Sequence, residues 1–134
     1  MKDGDRDWSK HFALGAAWVL AHFKGEGLKI IDVREKSSLC DFYILATKIN
    51  GPQAHAIVDE LTRQTKRQKG HVHDVEGDND SAWILLDMGD VIVHLFSPEG
   101  RQTYDLDGLW SELPIVPIPK DYFFSSDVSE FART

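Results

Sequence analysis

The chain has 134 residues, 42% of them hydrophobic and 28% charged, with a formal net charge of −7 and one cysteine, Cys40. That suffices for one domain with its own core; it excludes an intrachain disulfide or a thiolate metal cluster, and the acidity disfavours a nucleic-acid backbone as main partner and favours a basic protein. No apolar run reaches the length of a membrane span, and the start, Met1-Lys2-Asp3-Gly4-Asp5-Arg6-Asp7, resembles neither a signal peptide nor a mitochondrial transit peptide, so a cytoplasmic protein is expected.

Apolar residues at Trp8, Phe12, Ala16, Val19, Leu20 and Phe23 fall on one helical stripe, with Asp7 placed to cap the helix and Gly25 to end it. Leu28 to Val33 predicts a strand, Arg34 to Cys40 a polar loop, and Phe42 to Thr47 a strand buried on both faces, because its apolar run is nearly continuous. Gly51-Pro52 opens a second helix with proline in its first turn. Its stripe is Ala54, Ile57, Val58 and Leu61, and Gly70 ends it. His71 to Val75 predicts a short strand, followed by the polar loop Asp78-Asn79-Asp80.

Trp83 to Phe96 is the most informative stretch. Two runs rich in Val, Ile, Leu and aromatics predict a hairpin, with Asp87 and Asp90 on either side of a Met88-Gly89 turn and Gly89 supplying the positive φ. Short helical segments are expected over Pro98 to Tyr104 and Leu106 to Trp110. Pro114, Pro117 and Pro119 then enforce an extended path. Residues 1–113 are therefore expected to form the domain, and 114–134 a Pro-rich extended C-terminal tail. The element order implies an α/β fold, a mixed β-sheet flanked by helices.

Two kinds of chemistry compete for the polar residues. Asp41, Asp87 and Asp90 could hold Mg²⁺ for nucleotidyl or phosphoryl transfer, which needs carboxylate oxygens converging on the metal. Such a site places acidic residues at alternate positions of one strand, yet Tyr43 follows Asp41 at that spacing. His71, His73 and His94 lack the Cys or Glu spacing of a zinc site, and Cys40 has no nucleophile signature, so a packed thiol is expected. Arg63, Lys66, Arg67 and Lys69 complement the dipole at the end of the second helix and offer at most a minor RNA contact. Gly25-Glu26-Gly27 lies between a helix and a strand, the wrong order for a phosphate loop. Trp83 fits either a core or an interface anchor. No cofactor is expected.

Three separated blocks carry a family resemblance over about residues 9 to 113. They are Ser37-Ser38-Leu39-Cys40-Asp41 with the strand through Thr47; Trp83, Leu86-Asp87, Gly89-Asp90 and Val93-His94-Leu95-Phe96; and Arg101, Tyr104, Leu106 and Leu109-Trp110. In this order they resemble the ribosomal silencing factors, the Iojap family; Met88 stands where an aromatic is more usual. The resemblance implies a nucleotidyltransferase-like α-β-α sandwich without the catalytic carboxylate pair. It also implies a cytoplasmic homodimer that binds the large ribosomal subunit through ribosomal protein number fourteen. Binding there would sterically block joining of the small subunit and repress translation when nutrients are scarce. The residues expected to meet the partner are Trp83, Asp87, Met88, Asp90, His94, Arg101 and Tyr104.

Overall fold

Alternation of side chains along the central strands organises the molecule. In the computed structural model, which describes residues 3–68 and 70–123 with side chains from residue 8, eleven elements run in chain order. They are α1 (Asp3–His22), β1 (Glu26–Asp32), β2 (Phe42–Thr47), α2 (Gly51–Arg67), β3 (Asp74–Glu76), β4 (Trp83–Asp87), β5 (Val91–Phe96), α3 (Pro98–Tyr104), α4 (Leu106–Leu109), β6 (Ile115–Val116) and a 3₁₀ turn (Lys120–Phe123). One sheet has the order β3-β4-β5-β2-β1-β6. β2 and β5 pair in parallel, Phe42 beside Val91 through Thr47 beside Phe96, and the other pairs are antiparallel. The sheet is therefore mixed and flanked by helices.

Because strand side chains alternate faces, β2 contributes to two cores. Phe42, Ile44 and Ala46 join Ile84, Leu86, Met88, Val91, Val93 and Leu95 beneath α1 and α2. Leu45 points the other way, to Ile31, Val33, Cys40, Phe96, Leu106 and Leu113. The helical stripes meet the first face: Phe12, Ala16, Val19 and Leu20 of α1, and Ala54, Ile57 and Leu61 of α2, are buried, while Trp8, expected on the α1 stripe, is exposed and stacks on Phe12. Burial of Ile57 or Leu61 stabilises the fold by about 1.5–3 kcal/mol each. The second face carries only the short helices α3 and α4.

Four local features differ from the sequence expectations. First, α1 begins at Asp3, so Asp7 lies within it instead of capping it. At its end Lys24 takes the left-handed conformation, φ 70, and Gly25 N–H donates back to the Leu20 carbonyl at 2.8 Å, the wider bond of a Schellman ending.

Second, the hairpin turn lies one residue later than expected. Met88 N–H donates to the Val91 carbonyl at 2.9 Å, so Met88 still belongs to the ladder and the turn is Gly89-Asp90. Gly89 has φ +94 in the first central position, as a type II′ turn requires. Period-2 alternation decides the register: Met88 continues the buried row of Ile84 and Leu86.

Third, β3 covers Asp74–Glu76 instead of His71 to Val75. It pairs with β4 only up to Asp74 opposite Asp87; farther along, the partner positions would fall on the turn. Fourth, proline did not keep residues 114–123 off the domain. β6 pairs with β1, Asp32 N–H donates to the Pro114 carbonyl at 2.9 Å, and the 3₁₀ turn contacts α1. The rest of the expected tail, 124–134, lies outside the described residues.

α2 starts at a capping box. The Asn50 side chain accepts from Gln53 N–H at 2.8 Å, and the Gln53 side chain accepts from Asn50 N–H in return. The Gln53 amide also donates to the Phe23 carbonyl at 2.7 Å, tying α2 to the end of α1. Asn50→Ala should lower stability by about 1 kcal/mol, measured by urea denaturation, without change in the denaturant slope.

Candidate protein-docking face

α3 and α4 cover one half of the second sheet face and stop. Ser97 caps α3, its hydroxyl accepting from Gly100 N–H at 3.0 Å, and its own N–H donates to the Ala82 carbonyl at 3.0 Å. A Cβ at Gly100 would come within 2.3 Å of that carbonyl, so only glycine allows the close approach. Asp105, in the left-handed region at φ 47, ends α3 and caps α4 through Gly108 N–H at 3.0 Å. Tyr104, Trp110 and Leu109 are thereby set beside the uncovered half.

A clamp holds this arrangement. Arg101 donates to both Asp107 oxygens at 2.6 and 2.9 Å, to Thr47 Oγ1 at 3.1 Å and to the Gly27 carbonyl at 2.9 Å. Lys29 adds a contact to Asp107 at 2.8 Å. Hydrogen bonds from Arg101 hold the Asp107 carboxyl far below the ordinary carboxylate range, against the opposing effect of partial burial. One side chain thus links α3, α4, β1 and β2. Arg101, expected at the interface, has its guanidinium engaged inside the fold.

Aromatic rings run across the open half. Tyr104 lies 4.7 Å from Trp83 between ring centroids, Trp83 5.7 Å from His94, His94 4.8 Å from Tyr43, and Tyr43 5.8 Å from Trp110. They come from α3, β4, β5, β2 and the end of α4, and register brings them together: Trp83 faces Phe96 and His94 faces Leu85 across the β4–β5 ladder. The Trp83 indole N–H donates to His94 Nδ1 at 3.1 Å, which puts the imidazole proton on Nε2. His94 Nε2 and Trp110 Nε1 meet no hydrogen-bond acceptor among the described residues.

The seven expected contact residues divide by position. Tyr104 is exposed at 48%, Asp90 is exposed, and Trp83 and Asp87 are half-buried. Met88 and His94 are 6% and 4% exposed. Met88 supports the sheet from the helix side, and His94 supports Trp83 from below; neither presents its side chain to solvent. Register adds residues that the sequence had not singled out. Asp74 and Glu76 lie opposite Asp87 and Leu85, so these acidic side chains line the same face. A cleft of about 340 Å³ opens there between Glu76, Gly77, Ser81, Ala82, Trp83, Leu85 and Tyr104. Pairing in the ladder was the missing signal, since β3 is remote from Tyr104 in sequence.

Asp41, Asp87 and Asp90 lie near one another around Cys40, but their carboxylates are engaged separately. Asp41 accepts from the buried Ser9 hydroxyl at 2.8 Å, and Asp87 Oδ1 accepts from Gly89 N–H at 2.9 Å. The Asp90 carbonyl accepts from Asp41 and Phe42 N–H at 2.8 and 3.1 Å, which ties the hairpin turn to the start of β2. Among the described residues no three His, Cys, Asp or Glu side chains are placed to share a metal ion. The His71 and His73 rings lie 4.2 Å apart, tilted by 50°, and both residues are exposed, whereas His94 is buried. Burial pushes the Cys40 thiol up to about 11, a packed thiol. On α2, Arg63 and Arg67 both pair with Glu60, at 3.1 and 2.9 Å; Lys66 is exposed, and Lys69 lies outside the described residues.

Burial lowers the His94 pKa to about 4. An unfolded histidine titrates near about 6.5. Between these values the unfolded chain binds more protons, so stability is lost as pH falls through that window. His94→Gln keeps a carbonyl that can accept the Trp83 indole proton but does not titrate. The stability advantage of the native chain over this variant should shrink by up to about 3 kcal/mol from pH 6.5 to pH 4, as read from denaturation curves along that series.

Comparisons with known proteins converge on one family. The family described as "Ribosomal silencing factor during starvation" matches residues 7–132. A Haemophilus influenzae protein named ribosomal silencing factor is 35% identical over 93 residues, 69% of this chain and 91% of its own. One of the same name from Zymomonas mobilis is 38% identical over 80 residues, and the match spans 60% of each chain. Among solved structures, a Chromobacterium violaceum protein superimposes with a TM-score of 0.70 at 27% identity, covering 87% of this chain and 98% of that one. With the matched residues spanning both the aromatic face and the clamp, the chain belongs to the ribosomal silencing factor family.

Proposed function

We propose that this chain, a silencing factor and not an enzyme, binds the large ribosomal subunit through ribosomal protein number fourteen and sterically blocks the small subunit. Translation would thereby be repressed when nutrients are scarce. The observation that carries this reading is the open half of the sheet face, where exposed Tyr104 and half-buried Trp83 stand beside Asp74, Glu76 and Asp87. Aromatic anchors with a charged rim suit a protein partner. The charge of −7 would steer a basic ribosomal protein toward it.

In this reading Trp83, Asp87, Asp90 and Tyr104 touch the partner, while Met88, His94 and Arg101 hold them in place. The fold is taken as nucleotidyltransferase-like without its catalytic pair, since Tyr43 packs against His94 and Trp110 where a second carboxylate would stand. Residues 1–113 are taken as the silencing domain, with 114–134 as a C-terminal tail whose first part, 114–123, packs back on it, and the free protein as a cytoplasmic homodimer. Any RNA contact through α2 would be minor, because two of its arginines are paired with Glu60.

The chain should co-sediment with purified large subunits, saturating at one protomer each, and should reduce their joining to small subunits. Tyr104→Ala should weaken binding about tenfold or more, as removal of an aromatic anchor does. Asp90→Lys should weaken it at least tenfold if that carboxylate pairs across the interface. Both variants should be checked by thermal melting. Unchanged subunit joining at saturating protein would overturn the silencing mechanism.

A further inference from the structure

The cleft beside Trp83 has chemistry narrower than a general docking surface. Two of its walls are the aromatic rings of Trp83 and Tyr104, and its rim carries the Glu76 carboxylate. Gly77, at φ +90, contributes backbone without a side chain; a Cβ there would meet the Trp83 carbonyl at 2.6 Å, so the wall stays thin. Asp74 stands on the same strand face one alternation away, opposite Asp87. Like charges facing each other across a ladder are unfavourable. Among the described residues neither Asp74 nor Glu76 has a basic partner; a side-chain hydrogen bond with Asp74, and then the Asp74 charge, raise the Glu76 pKa. A cation arriving in the cleft would relieve that repulsion.

We propose that this cleft is a receptor for one arginine side chain presented by the basic partner, its guanidinium stacked on Trp83 or Tyr104 and donating to Glu76. The proposal rests on the docking reading for the identity of the partner but not for the chemistry of the cleft. Arginine fits better than lysine because a planar guanidinium can stack on a ring while its edge donates to a carboxylate. An ammonium is a compact, more strongly hydrated charge. A purely apolar anchor would leave the carboxylates facing one another without compensation.

Two measurements test this. In the first, the indole N–H resonance of Trp83, assigned with Trp83→Phe, is followed by NMR while N-acetyl-argininamide is added. Its neutral isostere, N-acetyl-citrullinamide, serves as control. The arginine compound should shift the signal saturably and the citrulline compound should not; Glu76→Gln should weaken the response about threefold. In the second, Glu76→Gln should reduce affinity for large subunits by a similar factor with an unchanged melting temperature. Equal shifts from the two compounds, or Glu76→Gln matching the native chain in both assays, would overturn the arginine receptor. If Tyr104→Ala still weakened subunit binding in that case, the docking reading would stand alone. If the native chain bound arginine selectively yet ignored large subunits, the receptor would stand and the ribosomal partner would fall.

Discussion

The Arg101–Asp107 clamp is the interaction on which the rest of the aromatic face depends. A mixed sheet needs both faces covered or else exposes apolar rows to water. Here α1 and α2 cover one face, and two short helices cover only half of the other. Those helices, Pro98–Tyr104 and Leu106–Leu109, are too short to hold their position by their own hydrogen bonds. A bidentate ion pair, extended to Thr47, Gly27 and Lys29, fixes them to β1 and β2. Because Arg101 is spent on this task, Tyr104 at the end of the same helix can face outward beside Trp83.

The uncovered half is kept soluble by polarity at its margin. Trp83, Leu85, Tyr43 and Ile92 would form an aggregation-prone strip if bare. Instead Asp74, Glu76 and Asp87 border it through the β3–β4 register. The three-residue β3 edge is short and acidic, the usual protection of an open sheet edge. The same charges make this border of the face uniformly acidic.

His94 shows why a residue can matter to such a face without being on it. It is buried, it accepts the Trp83 indole proton, and its own ring stands against Tyr43. Burial keeps it neutral at ordinary pH. It therefore orients Trp83 without adding charge. Loss of His94 would remove the acceptor that holds the Trp83 indole in place.

Local pattern decided much of this protein. The stripe of α1, the run Phe42 to Thr47, the Gly51-Pro52 start of α2 and the paired runs from Trp83 to Phe96 were legible because each depends on the period of a single segment. So was the family, because its blocks are contiguous in sequence. Tertiary structure decided the rest. The turn moved to Gly89-Asp90 because burial of Met88 in the sheet outweighed the local preference for a Met88-Gly89 turn. Residues 114–123 were drawn against β1 and α1 by contacts distant in sequence. Arg101 and His94 look like surface polar residues in the sequence, yet their hydrogen bonds reach groups up to 74 and 11 residues away, and the His94 ring meets Tyr43, farther off in sequence than Trp83. Whether a polar side chain faces water, a partner or the chain's own interior depends on strand register and helix docking, and no local window contains either.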